Sequence, residues 1–254
     1  MIISISGKAG SGKDTVGNII QYLTAQLSSK NTMSYEKWDT HPYKQASYNW
    51  QIKKYSDKLK DMVCILIGCT REELEDQQFK DAPLGEEWKR IIDLRTGKVA
   101  NTGIIEVQNI ARIHIMTPRD ILQSLGTDFG RDMLHPNVWV NALFAEYKFT
   151  DLAISKYRNA GFSSQNLHGD PYPNWIITDS RFPNDVKRTH KMGGILIRVN
   201  RAECEGRTNE HVSETALDDF NEWDYVIENN GTIEELIGQV RTILEEAGII
   251  KKSE

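Results

Sequence analysis

Nine residues near the start, Gly7-Lys8-Ala9-Gly10-Ser11-Gly12-Lys13-Asp14-Thr15, combine residue types and spacing that can do chemistry. The G-x-x-x-x-G-K spacing lets the backbone curl until successive N–H groups point inward at a polyphosphate. A helix starting at such a loop aims its positive end at the same place, and Lys13 would reach the β- and γ-phosphates. One position is unusual. Where Ser or Thr commonly follows Gly-Lys and offers a hydroxyl to Mg²⁺, this chain has Asp14, with Thr15 one place later. A carboxylate so close to phosphates repels them unless a cation lies between. Asp14 therefore reads either as a magnesium ligand, direct or through water, or as an acidic group facing the helix dipole.

A second carboxylate ends an apolar run, Trp175-Ile176-Ile177-Thr178-Asp179. A strand ending in Asp is the form of the second nucleotide-binding motif, in which the carboxylate orders the metal through water; a strand-end Asp that caps the next turn has the same look. Phosphoryl transfer asks little covalent chemistry of a protein beyond magnesium, positioning and positive charge around the transferring group. Arg181, Arg201 and Arg207 are candidates for that charge, the last two in a polar segment able to act as a lid. For a phosphate on the acceptor the candidates are Lys60, Arg119 and Arg131. Each of these reads equally well as a solvated helix charge or an i,i+4 partner.

These residues need a scaffold that brings strand ends together. Ile2 to Ser6 is an apolar strand running straight into the loop, and Val16, Ile19, Ile20, Leu23 and Leu27 recur after it at helical spacing. Further strands are predicted near Gln51 to Ser56, at Trp175 to Asp179, at Ile195 to Val199 and at Asp224 to Glu228. A helix from Asp57 carries Leu59, Met62, Val63, Leu66 and Ile67 on its apolar side, and a short acidic helix from Arg71 to Gln77 is capped by Thr70. Thr117 caps another, with Pro118 at its first position and Gln123, Thr127, Asp128 and Arg131 on its polar face. Others run through Trp139, Val140, Leu143 and Phe144, from Pro183 to Met192, and after Thr232 to the end. Pro83, Gly85, Gly97 and Gly103 punctuate β-like runs such as Ile104 to Val107, marking a hairpin-containing insertion at about 79–116. Strands alternating with helices imply an α/β fold: a five-stranded parallel sheet flanked by helices in three layers, a single domain over 1–254, with a lid at about 200–222. Ligands of such sheets bind beyond the carboxyl ends of the strands, and Lys60 lies just past one such end.

The chain has 254 residues, 39% hydrophobic and 26% charged, which suits a globular protein with a sizeable core. A net charge of −5 argues against a nucleic-acid polymer as the main partner and leaves nucleotides open. Cys64, Cys69 and Cys204 show no metal-ligand or redox spacing and read as reduced thiols of a cytoplasmic protein. The five-residue apolar start is no signal peptide, and no apolar run approaches the roughly 20 residues of a membrane span, so a soluble protein is expected. Other phosphate-loop classes fit less well. The Asn-Lys-x-Asp motif expected of a GTPase is absent, and Asp128-Phe129-Gly130 lacks the His-Arg-Asp loop and strand lysine that give that tripeptide meaning in protein kinases.

GKAGSGKDT at 7–15, QSLGTDFGR at 123–131, Asn137-Val138-Trp139-Val140, Thr178-Asp179-Ser180-Arg181, His211-Val212-Ser213-Glu214 and YVIENNGT at 225–232 resemble, in the same order, the deoxynucleoside monophosphate kinases of tailed bacteriophages. The resemblance covers nearly the whole chain and is weakest at about 79–116. It implies the three-layer P-loop kinase fold with its Walker A motif. It implies magnesium-assisted transfer of the ATP γ-phosphate to a deoxynucleoside monophosphate, giving the diphosphate for DNA synthesis. With it come ATP and Mg²⁺ as cofactors, small-molecule nucleotides rather than nucleic acid or membrane as partners, and a cytoplasmic location, in the host cell where the source is a virus. A homodimer is left open. Carried over residue by residue, Gly7, Ala9, Gly10, Ser11, Gly12, Lys13, Asp14 and Thr15 would hold the donor phosphates, and Asn229 to Thr232, Asn230 and Gly231 among them, would lie near its adenine. Asp14 and Asp179 would serve the metal, Gln123, Thr127, Asp128 and Arg131 the acceptor nucleotide, and His211 and Glu214 the lid or acceptor side. An ordinary loop role for His211, helix capping for Ser213 and core packing for Trp139 are the plain alternatives. Two rival readings stand beside this one. One is another small-metabolite kinase on the same scaffold, of phosphomevalonate or dephospho-coenzyme A type; the other is a non-catalytic ATP-binding switch or assembly protein.

Overall fold

The computed structural model describes residues 1–26, 33–41, 50–93, 99, 111–149, 172–204 and 212–252. In chain order its regular elements are β1 (Ile2–Ser6), α1 (Lys13–Gln26), α2 (Tyr35–Asp39), β2 (Trp50–Lys53), α3 (Asp57–Ile67), α4 (Arg71–Glu75), α5 (Gln77–Asp81), β3 (Lys89–Asp93), β4 (Ala111–Ile115), α6 (Pro118–Gln123), α7 (Val138–Phe144), β5 (Asn174–Ser180), α8 (Pro183–Lys191), β6 (Ile195–Asn200), α9 (Val212–Thr215), β7 (Tyr225–Glu228) and α10 (Ile233–Glu246). The chain divides into two compact units, Met1–Tyr55 with Val140–Glu254, and Ser56–Trp139. Among the described residues no helix is long and apolar enough to cross a membrane.

The first unit is the expected α/β layer structure. Its five strands lie in the order β2-β5-β1-β6-β7, and every neighbouring pair is parallel. All five residues of β1 are buried, as a central strand covered on both faces requires. Alternation sends Ile3 and Ile5 toward one face, where they join Val16, Ile19, Ile20 and Leu23 of α1 and Leu236, Val240, Ile243 and Leu244 of α10. Each such side chain taken from water contributes about 1.5–3 kcal/mol, so this cluster anchors the helix that carries the loop. On the opposite face Leu196 of β6 packs with Val186 of α8 and Leu217, flanked by Phe220 and Trp223. Leu27, the last of the predicted apolar positions of α1, lies outside the described residues.

The second unit holds the hairpin expected in the insertion. β3 and β4 pair antiparallel, Lys89 opposite Ile115 and Asp93 opposite Ala111, while the β-like run at 104–107 lies outside the described residues. Two helices differ from their predicted form. The acidic helix stops at Glu75 because Asp76 turns and caps a further helix, its Oδ1 accepting the Phe79 N–H at 2.7 Å. The helix begun by the Thr117–Asp120 capping box passes at Ser124 into a π-helical run to Leu134, with Gly126 and Gly130 buried in it. Trp139 packs on that run, donating from Nε1 to the Gly126 carbonyl at 2.7 Å, so it belongs to the core.

Candidate active site

The loop between β1 and α1 is built by close approach. Gly12 stands at φ +97°, and a Cβ there would collide with the Asn229 side-chain amide. That amide donates to the Ser11 carbonyl at 2.8 Å, which ties the loop to the turn after β7. Lys13, only 8% exposed, folds back and donates to the carbonyls of Gly7 at 2.7 Å and Lys8 at 2.6 Å. Burial, and then the neighbouring Arg181, push its pKa down to about 8 against the pull of Asp14 and Asp179. A buried ammonium held by neutral carbonyls and pressed by an arginine is poised for an anion.

Asp14 is placed by the strand beside it. Its Oδ1 accepts from Thr178 Oγ1 at 2.6 Å and pairs with Lys54 Nζ at 2.9 Å. Desolvation works against its charge, but the hydroxyl and the ammonium outweigh it and hold the carboxyl below the usual carboxylate range. β5 shifts register against β1 at this point; Thr178 reaches Asp14, and Asp179 beside it accepts the Tyr55 N–H at 2.7 Å. Both carboxylates lie near enough to Lys13 to act on its charge. Oxygen donors of this kind suit Mg²⁺, which takes one or two carboxylates and completes its shell with water and phosphate oxygens. Among the described residues no group of three or more His, Cys, Asp or Glu side chains could hold a metal ion without such outside oxygens.

α9 and the turn after it also meet the loop. Glu214 accepts the Ala9 N–H at 2.8 Å and pairs with Arg181, while its backbone carbonyl accepts from Lys8 Nζ at 2.8 Å. Asp218 Oδ2 takes the same Lys8 ammonium at 2.8 Å. The Glu214 carboxylate thus lies where a loop N–H and a guanidinium converge, a donor set that equally suits a phosphate oxygen. Arg198 donates from Nη1 to Ser6 Oγ at 3.4 Å and lies 5.7 Å from the Trp223 ring centre. It lines a cleft of about 660 Å³ together with Arg201, Asp218, Phe220, Trp223 and Asn230. Asn230 Oδ1 accepts the Ala202 N–H at 2.8 Å, and Arg201 pairs with Glu203 at 2.7 Å. Thr15 and Gly231 occupy the first turn of α1 and the turn before α10.

The acceptor-side candidates stand in the second unit, each already engaged. Lys60 donates to Glu75 Oε1 at 2.6 Å. Arg119 binds both oxygens of Asp81, at 2.5 and 3.2 Å, and donates to Gln77 Oε1 at 2.9 Å. Lys80, which no sequence signal marked, is buried beside them, donating to the Glu75 carbonyl at 3.2 Å with Glu75 Oε2 at 3.8 Å. Burial lowers its pKa, and Lys60 and Arg119 add to that against the pull of Glu75, so three cations share one neighbourhood. Gln123 and Asp128 are exposed and Thr127 and Arg131 half-buried along the run from α6 into the π-helix, with the Arg131 guanidinium 3.5 Å from the Pro136 carbonyl. Hydrogen bonds spanning five residues bring Asp128 round toward Gln123, nearer than α-helical spacing would. Arg207 and His211 lie outside the described residues.

Sequence reasoning gave no site role to Lys8, Lys54, Lys80, Thr178, Arg198 or Asp218, nor to Glu75, Gln77 and Asp81, which hold the second unit's cations. Lys54 had a usable signal, since it directly follows a strand at the carboxyl edge of the sheet. Thr178 had another, as the neighbour of Asp179 at the carboxyl end of an apolar strand.

The parallel sheet, the curled loop with its buried lysine and the adjoining cleft define a phosphate-loop protein of the α/β class. The family model described as deoxynucleotide monophosphate kinase matches residues 83–240, more than half of the chain, and the protein belongs to that family. The resemblance read from the motifs is thereby borne out. A protein of Acanthamoeba polyphaga mimivirus, provisionally named for the same activity, is 30% identical over 138 residues, covering 52% of this chain and 63% of that protein. The deoxynucleotide monophosphate kinase of Escherichia phage RB69 is 27% identical over 126 residues, covering 50% of this chain and 44% of its own. The chain thus spans less than two thirds of the length of each of these relatives.

Proposed function

We propose that the protein transfers the γ-phosphoryl group of ATP to a deoxynucleoside monophosphate, with Mg²⁺ as the accompanying ion. Lys13 carries this reading. Its ammonium is buried, held by the Gly7 and Lys8 carbonyls and lowered to about 8, so negative oxygen atoms at the loop mouth stabilise it far more than water does.

On donor binding Lys13 leaves the two carbonyls for phosphate oxygens, and the loop N–H groups between Gly7 and Thr15 line the same anion. Arg181 exchanges the Glu214 carboxylate for phosphate, which moves its positive charge onto the transferring group. Thr178 and Lys54 keep Asp14 ionised and oriented, and the Tyr55 N–H fixes Asp179, so that both present oxygens to Mg²⁺. Bound there, Mg²⁺ would supply charge neutralisation to the phosphate oxygens. The cleft beside Asn230 and Arg201 is of a size that suits a nucleoside, and takes the donor's. Lys60, Lys80 and Arg119 exchange carboxylates for the acceptor phosphate, with Gln123, Thr127, Asp128 and Arg131 at its nucleoside. Arg201 and Arg207 serve the lid, and His211 the lid or the acceptor side.

A coupled ADP-release assay tests this with ATP, Mg²⁺ and a panel of dGMP, dTMP, dCMP, dAMP, their ribose counterparts, phosphomevalonate and dephospho-coenzyme A. Turnover with at least one deoxynucleotide is expected. Turnover only with a non-nucleotide, or tight ATP binding with no turnover on any acceptor, would overturn the proposal.

A further inference from the structure

Cys64 and Cys69 take no part in the proposed reaction, yet the backbone places them together. α3 ends in a Schellman turn: Gly68 stands at φ +69°, and the Cys69 N–H donates to the Cys64 carbonyl at 3.1 Å. In this motif the side chains at the two ends of that hydrogen bond commonly meet in an apolar contact. Here both ends are thiols. They lie near enough for Cys64 to act on the charge of Cys69, and Cys64 Sγ donates to the Thr70 carbonyl at 3.5 Å. Burial and the neighbouring Cys64 push the Cys69 thiol up to about 11. Both cysteines are partly exposed, whereas Cys204 is 3% exposed. The turn is held on each side, by the buried Leu59 and Val63 of α3 and by the Thr70–Glu73 capping box of α4.

We propose that Cys64 and Cys69 form a modification site, a dithiol that closes to an intramolecular disulfide by exchange with a small-molecule disulfide such as oxidised glutathione. A disulfide requires Cβ atoms within about 4.5 Å of one another, and side chains at the two ends of the backbone hydrogen bond that closes this turn stand close to that geometry. The Cys64 thiolate attacks one sulfur of the oxidant, forming a mixed disulfide and expelling one glutathione thiolate. Cys69, losing its proton, attacks the Cys64 sulfur and expels the second. The protein gives up two electrons and two protons, and the oxidant becomes two molecules of glutathione. Closure of the turn makes the second step outrun attack by free glutathione, because the effective concentration of Cys69 is that of a neighbouring group. The bridge ties the end of α3, which carries Lys60 one turn earlier, to the start of α4, which carries the Lys60 partner Glu75.

The test is free-thiol counting and intact-mass measurement on the native full chain after treatment with excess oxidised glutathione. The expected result is loss of two of the three thiols with a mass lower by two hydrogens, no glutathione retained, a Cys64–Cys69 cross-linked peptide, and reversal by dithiothreitol. Cys64→Ser and Cys69→Ser should each take up one glutathione instead. A wild-type protein that retains glutathione on both cysteines, keeps three free thiols, or cross-links between chains would overturn the proposal.

Discussion

Lys13 and Lys60 are both lysines near carboxylates, but they are held in opposite ways. Lys13 rests on two neutral carbonyls and has its charge made costly by burial and by Arg181. Lys60 rests directly on the Glu75 carboxylate at 2.6 Å, as Arg119 rests on Asp81. An anion arriving at Lys13 displaces dipoles, whereas an anion arriving at Lys60 or Arg119 must displace an ion pair. The phosphate loop is therefore prepared in advance, and the cations of the second unit are released only by a competing anion. Arg181, Arg201 and Lys8 are exceptions in the first unit, since Glu214, Glu203 and Asp218 occupy them.

The strongest way to break this comparison is Lys13→Ala. Loss of a preorganised cation at developing charge should lower kcat by at least about 10² to 10³-fold with an unchanged circular dichroism spectrum. Most of the activity surviving would remove the loop lysine from the reaction. Next come Lys80→Ala and Arg119→Ala, each expected to raise the acceptor KM by about tenfold, the worth of one hydrogen bond to a charged group, with the ATP KM unmoved. A rise in ATP KM alone would place these cations on the donor. Glu75→Gln sharpens the contrast more gently. If Lys60 must leave an ion pair, weakening that pair should lower the acceptor KM by a few-fold, in keeping with about 0.2–1 kcal/mol for an exposed pair.

The smallest effect is in protons. The native pKa of Lys13, about 8, is below its ordinary 10.5, so between these values the unfolded chain binds more protons than the native one. This group therefore adds stability as pH rises from about 8 toward 10.5, and Lys13→Met should flatten that part of a thermal-stability profile. Phosphate binding raises the same pKa, so ATP should bind with net proton uptake at pH 9 and little at pH 7. Calorimetry in buffers of different ionisation heat reads this directly.

The phosphate-loop half was legible in the sequence because its information is local. Ile2 to Lys13 is a strand, a loop and a helix start in immediate succession, and the buried strands at 174–180 and 195–200 are apolar runs that parallel sheets require. What escaped reading depends on pairs far apart in the chain. Lys54 on Asp14 and Glu214 on Ala9 are contacts that no periodicity encodes. The π-helical run arises where Gly126 and Gly130 pack under Trp139, a tertiary effect invisible in a window that scores simply as a polar-faced helix. Lys80 shows the same limit, since composition places a lysine outside and only the packing of α5 buries it.

The most direct measurement of the central claim follows the γ-phosphate itself. ATP labelled at that position is incubated with Mg²⁺, each deoxynucleoside monophosphate and either wild-type protein or Lys13→Ala, and the products are separated by chromatography. The account predicts label in a deoxynucleoside diphosphate with wild type and its near absence with the variant. Label released only as inorganic phosphate, or equal transfer by both proteins, would contradict it.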